Sequence, residues 1–166
     1  LNSMKIINFF SKLNFVVFVI SGLIFLIDRI TKEKIIELQT QNEKSIYVND
    51  YLNFDLIWNS GIGFGLFSLE ANFFYHLITF LIFIILLVII ILIFRSNKKE
   101  KFMYSLILGG ALGNLFDRII YFSVPDFIDL HFNNYHWFSF NIADIFITVG
   151  IIFILINELG KTNETN

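Results

Sequence analysis

Apolar and polar positions alternate in blocks along this chain of 166 residues, and the blocks have two different periods. The first apolar run, Leu13 to Ile27, leads into Asp28-Arg29-Ile30-Thr31-Lys32 and predicts a helix over 13–31. Its uncharged part is shorter than the ~20 residues that cross a hydrocarbon layer, so Asp28 and Lys32 are expected at the outer membrane boundary. A second run, Phe73 to Phe94, has no charge and only His76 and Thr79 as polar members, which predicts a full span over 73–94. Further spans are predicted over 102–122 and 138–156, with a frayed polar tail over 157–166. Between the first two spans the period changes. Charges and amides reach Ser45; Ile46-Tyr47-Val48 and then Tyr51 to Trp58, with Leu52, Phe54, Leu56 and Trp58 alternating, read as short strands. Asn49-Asp50 supplies a turn between them. Asn59-Ser60-Gly61-Ile62-Gly63-Phe64-Gly65 follows as a loop whose glycines permit close backbone approach. The expected fold is a mainly α membrane protein of one domain over 1–166. It has four transmembrane helices and a small extracytoplasmic β-layer within 33–70, between helices 1 and 2.

Composition supports the lipid setting: 56% of the residues are hydrophobic, 22 are Phe and 16% are charged. A soluble chain of this length could not hide so much apolar surface. No basic stripe is present, so nucleic acid is not an expected partner. The absence of Cys excludes disulfides, thiolate metal sites and a cysteine nucleophile together. Lys5 and Lys12 before an apolar core look like the start of a signal peptide, but no small-residue cleavage site follows, so a retained helix is expected. Arg95, Lys98, Lys99 and Lys101 fill one short connection and place it in the cytoplasm. Four spans then put both termini inside and residues 28–72 and 118–137 outside.

The chemistry lies in acids that an apolar chain should avoid: Asp117, Asp126, Asp129 and Asp144. Asn114, Asp117 and Arg118 share one helix face by three- and four-residue spacing, as do Asn141 and Asp144. Asp144, six residues beyond Phe138, is expected about 9 Å inside the fourth span. Pro125 lets the intervening loop carry Asp126 back over the bundle. Each feature has a plainer reading. Asp117 beside Arg118 reads equally well as a structural ion pair, Asp129 as a solvated loop acid, Gly109-x-x-x-Gly113 as packing, and Asn59 with its glycines as a turn. Asp126 and Asp144 have no such neighbour, and two facing carboxylates in low dielectric share a proton. The ionised partner can then draw a proton from water while the protonated one donates, as in aspartic proteases, with no metal or cofactor. Other hydrolytic sets are absent: there is no Gly-x-Ser-x-Gly elbow, and His131 and His136 lack zincin spacing.

Five ordered blocks carry a resemblance: Asp28-x-x-Thr31-Lys32; Asn59-x-Gly61; Gly109 to Asn114 with Asp117-Arg118; Val124-x-Asp126-Phe127; and Phe140-Asn141-x-Ala143-Asp144. Together they resemble the bacterial lipoprotein signal peptidase, or type II signal peptidase. The resemblance implies an intramembrane aspartic endopeptidase of the bacterial inner membrane. Such an enzyme cleaves prolipoproteins before a diacylglyceryl-modified cysteine, at the outer face. It also implies a catalytic pair, Asp126 and Asp144. Asn114, Arg118 and Asn141 would orient that pair or hold substrate, Asn59 would contribute from the β-layer, and Asp28 and Lys32 would brace the first helix. Gly61, Gly113 and Ala143 fall in the same blocks. Asp117 matches a family position too and competes with Asp126. Asp126 is favoured because a loop above the bundle can face Asp144. Implied partners are lipid-modified prolipoproteins, membrane lipids and globomycin-type cyclic peptides; no metal or cofactor is implied. Arg29 stands where the family usually has Gln, and Ile62-Gly63 where it has two small residues. A small proton-coupled transporter or channel subunit is the competing class, but it would place polar groups at mid-membrane depth, where the second span has almost none.

Overall fold

The computed structural model describes residues 11–42, 45–61, 71–133 and 135–164. Ile62 and Gly63 lie outside the described residues. The described residues form four helices, α1 (Lys12–Asn42), α2 (Ala71–Arg95), α3 (Lys98–Tyr121) and α4 (Ile142–Glu164), with one hairpin, β1 (Ile46–Asn49) and β2 (Leu52–Asn59), between α1 and α2 and another, β3 (Val124–Phe132) and β4 (Tyr135–Phe140), between α3 and α4. Three helical stretches, Lys12–Gln41, Phe73–Arg95 and Ile142–Lys161, are long and apolar enough to cross a membrane. The third expected span falls on α3, which is as long but carries basic residues in its first turn and Asp117-Arg118 near its end. Its polar groups are tolerated because it is the central helix, packed against α1, α2 and α4.

Close packing comes from small residues. A Cβ on Gly109 would strike the Ser21 carbonyl and Ile24 of α1; one on Gly110 would overlap the Ala143 carbonyl of α4. Gly109 and Gly113, the Gly-x-x-x-Gly pair, thus both face α1, and Gly110 beside them serves α4. Ser21 Oγ donates to the Ser105 carbonyl at 3.0 Å, fastening α1 to α3 across a buried apolar cluster of Val17, Leu86, Ile93, Leu108 and Leu115. The outward faces keep residues such as Phe15, Phe80 and Leu155 exposed, as a helix facing lipid requires.

The expected β-layer is present and larger than the 33–70 region could build. Its four strands run in the order β1-β2-β3-β4, all antiparallel, so the hairpin between α3 and α4 supplies half. Tyr51 N–H donates to Asn49 Oδ1 at 2.9 Å, the local bond that sets the first turn. Residues 33–42 were expected outside the first helix; instead α1 runs on unbroken to Asn42, since nothing there interrupts a helix. That extension packs Ile35 on Phe127 and Ile128 of the sheet. Gln39 accepts the Leu56 N–H and donates to the Phe54 carbonyl, both at 2.7 Å, satisfying β2 where its register with β3 shifts. Two further boundaries differ. Residues 138–140 belong to β4, so the last helix begins at Ile142, and the tail continues helical to Glu164, with Lys161 paired to Glu100 and Glu158.

Candidate active site

Charged residues of α1 and α3 meet first. Lys32 is fully buried and spends all three N–H groups: on Asp28 Oδ2 at 2.7 Å, Asp117 Oδ2 at 2.7 Å and Asn114 Oδ1 at 2.9 Å. Arg29 Nη1 donates to the other oxygen of Asp117, and its guanidinium lies 5.1 Å from the ring centre of Phe116 and 5.6 Å from that of Tyr121. Asp117 is thus held by two cations of α1, and not by Arg118 beside it in sequence. Arg118 Nη1 reaches the Asn114 carbonyl at 3.4 Å. Asp28 Oδ1 accepts the Ala143 N–H at 2.9 Å, tying α1 to the start of α4. No Cβ fits at Gly113, because it would overlap Asp28 Oδ2. Two acids and two bases neutralise each other here, the arrangement that makes buried charge tolerable.

The second cluster is built from strand and helix-end positions. Asp126 is on β3, a central strand, opposite Ile57; Asn59 lies two residues further along the same face of β2. Asn59 Nδ2 donates to Asp126 Oδ2 at 2.8 Å, and Asn141 Nδ2 donates to Asp126 Oδ1 at 2.6 Å. Asn141 directly precedes α4. Its side-chain oxygen accepts the Asp144 N–H at 3.0 Å, while Asp144 Oδ2 accepts the Asn141 N–H at 3.1 Å. This reciprocal pair is a capping box, and it explains the three-residue spacing. Asp144 therefore sits in the first turn of α4, and not a full turn and a half inside a span. Its other oxygen takes the Asn114 Nδ2–H at 2.8 Å. Asn114 in turn accepts from Asn141 Nδ2 at 3.2 Å, so one pair of amides holds both carboxylates. Among the described residues no Lys or Arg forms an ion pair with Asp126 or Asp144.

Burial pushes the Asp126 carboxyl above its ordinary value; the Asn59 hydrogen bond works against that rise, and the nearby Asp144 charge adds to it. A cavity of about 630 Å³ opens over Asp126, walled by Trp58, Asn59, Trp137 and Phe138. On the other side of Phe138, a groove of about 300 Å³ runs from Asp144 along Ile145, Thr148 and Val149. A mixed polar and aromatic cavity thus reaches Asp126 and an apolar groove reaches Asp144, with Phe138 in the wall of both. The family model of signal peptidase II matches residues 20–159. The chain belongs to the signal peptidase II family. It is 44% identical to the lipoprotein signal peptidase of Pelagibacter ubique, covering all of both chains. It is 37% identical to that of Thermodesulfovibrio yellowstonii, over 84% of this chain and 91% of the other. A solved bacterial membrane enzyme, determined by the in meso method, superposes with a TM-score of 0.71 at 30% identity, covering 87% of this chain and 92% of that one. These likenesses give the transporter reading no support.

The residues expected at a signal peptidase II site divide by location. Asp126, Asp144, Asn59, Asn114 and Asn141 form one connected set, and Asp28, Lys32 and Asp117 form the adjoining ionic one. Gly61 takes a φ of 76°, the left-handed region that favours glycine, and Arg118 Nη2 lies 3.6 Å from where a Cβ would stand, an ordinary contact distance. Two expectations change. Asp126 is carried by a strand rather than a loop, and Asp129 is buried against His136 rather than solvated. Arg29 was missed as a site residue. The signal was available: a buried Arg one position from Asp28 in an apolar helix needs an acidic partner.

Proposed function

We propose that this enzyme removes signal peptides from lipid-modified prolipoproteins, with Asp126 and Asp144 as its acid–base pair. The observation that carries the reading is that one Asn114–Asn141 amide pair holds both carboxylates and, among the described residues, no cation pairs with either. Neutral amides orient a carboxylate without cancelling the charge it needs to exchange protons. Asp126, whose ionisation burial disfavours, holds the shared proton; Asp144 takes a proton from the water that attacks the scissile carbonyl. Asp126 first protonates the carbonyl oxygen. Collapse of the tetrahedral species breaks the C–N bond: the amine leaves with the proton that Asp144 collected, and Asp126 recovers its own from a hydroxyl of the diol. The peptide occupies the cavity over Asp126, and the apolar groove along α4 receives the acyl chains or the signal helix. Globomycin-type cyclic peptides compete for the same space.

The chain spans the bacterial inner membrane with both termini in the cytoplasm. Support comes from Lys98, Lys99 and Lys101 at one end of α3 and the acid cluster near the other, a helix of 24 residues apart. The single-domain reading rests on the sheet, to which both connecting hairpins contribute. Purified full-length protein in detergent, given a diacylglyceryl-modified prolipopeptide, tests the pair. Asp126→Asn and Asp144→Asn should each cut turnover by roughly 10³-fold or more while leaving the fold intact. Normal turnover in either variant removes that residue from the pair, and loss confined to Asp117→Asn would transfer the role there.

A further inference from the structure

The β3–β4 hairpin holds a second constellation that peptide hydrolysis does not use: Asp129, His131 and His136. Asp129 and His131 are two apart on β3 and so share a face. The register of the hairpin decides the third member. Ile128, Asp129 and Leu130 pair with Phe140, Ser139 and Phe138, but His131 pairs with His136, leaving Trp137 as an extra residue. In an unbroken ladder His131 would meet Trp137 and His136 would project from the opposite side. The bulge turns His136 onto the face of the other two, as bulges commonly re-aim a side chain. His136 Nδ1 then lies 2.7 Å from Asp129 Oδ2, His131 Nδ1 lies 3.8 Å from the same oxygen, and the two imidazoles stack with centres 5.4 Å apart.

His131 Nδ1 is the telling atom. It is buried, in a side chain only 9% exposed, and has no hydrogen-bond partner among the described residues. A buried polar nitrogen directed at a carboxylate oxygen beyond hydrogen-bond reach leaves a desolvation cost unmet. One ion between the three groups would meet it, since all three donor atoms lie within 4.8 Å of one another. Tetrahedral zinc with bonds of about 2.0–2.1 Å needs donors roughly 3.3 Å apart, so small side-chain rotations suffice. Two imidazoles and a carboxylate suit a divalent ion of the zinc, cobalt or nickel class better than calcium or magnesium.

We propose that Asp129, His131 and His136 form a binding site for a divalent transition metal, zinc in the first instance, that staples β3 to β4. Asp129 and His136 also wall the cavity over Asp126. Asp126 stands three residues away on the same strand, about 10 Å at strand rise. The ion is therefore a brace for the cavity wall, not a participant in hydrolysis, and its binding stands whether or not Asp126 and Asp144 form the reacting pair.

Untagged full-length protein in detergent, stripped with chelator, is titrated with Co²⁺ by visible absorption and with Zn²⁺ by calorimetry. One equivalent should bind, with tetrahedral cobalt bands, and Zn²⁺ should raise the unfolding temperature. His136→Ala should weaken Zn²⁺ binding by at least about tenfold, as ligand loss does. His136 is largely exposed, so this variant leaves the core untouched. Asp129→Asn should weaken binding similarly, and His76→Ala on α2 should not change it. Absence of saturable one-equivalent binding, or wild-type affinity in His136→Ala or in Asp129→Asn, overturns the site.

Discussion

Two groups of buried acids sit side by side in this protein and live under different rules. Asp28 and Asp117 are saturated by Lys32 and Arg29. Among the described residues, Asp126 and Asp144 accept amide N–H groups alone, from Asn59, Asn114 and Asn141 side chains and the Asn141 backbone. The first set locks α1, α3 and the start of α4 together, because each charge removed strands an opposite one in low dielectric. The second set keeps its protons negotiable, because no cation among the described residues forms an ion pair that pins either carboxylate in its ionised form. Asn114 is the junction: it accepts from Lys32 with one end of its side chain and donates to Asp144 with the other. Rigidity is thus passed to the acid pair without charge being passed with it.

That contrast can be broken at graded cost. The largest effect is the one already set out for Asp126→Asn and Asp144→Asn, loss of turnover with the fold retained. Asp117→Asn should do the opposite. It leaves Lys32 and Arg29 short of a counter-charge and should lower stability by about 3–5 kcal/mol, read by thermal unfolding in detergent. Unchanged unfolding would mean that the cluster is not a brace. Gly113→Ala comes next. Its methyl displaces Asp28 from Lys32 and from the Ala143 N–H, and roughly 1–3 kcal/mol of destabilisation is expected in the same measurement.

Asn59→Ala is the subtlest. The Asn59 hydrogen bond opposes the upward shift at Asp126, so its removal lets that carboxyl rise further. Turnover needs Asp126 protonated and Asp144 ionised, so the loss of turnover as pH rises follows the Asp126 carboxyl. The alkaline limb of kcat/KM should therefore move to higher pH in Asn59→Ala. A shift to lower pH would reverse the roles assigned to the two acids.

Much of this was legible along the chain, and the failures are specific. The second span reads directly, since an uncharged run of that length has one economical conformation in lipid. The polar blocks also announce themselves, because carboxylates and amides in apolar helices need a reason. The start of α4 was misread: Phe138 to Phe140 merge into the following apolar run, and periodicity cannot separate a short buried strand from a helix end. Asp129 was misread as a loop acid for the same reason, the second hairpin being hidden between two helices.

Local pattern alone determined that four helices and the first hairpin exist and which acids matter, though not where α1 ends or α4 begins, because each depends on neighbours within a few residues. Tertiary structure decided which acid meets which partner. Lys32 reaches Asp117 across 85 positions of sequence, Asn59 reaches Asp126 across 67, and Asp28 caps a helix 115 residues away. Charge pairing follows distance in space, and the adjacent pair Asp117-Arg118 shows why adjacency is a poor guide: on α3 successive side chains point in different directions, and Asp117 turns to α1.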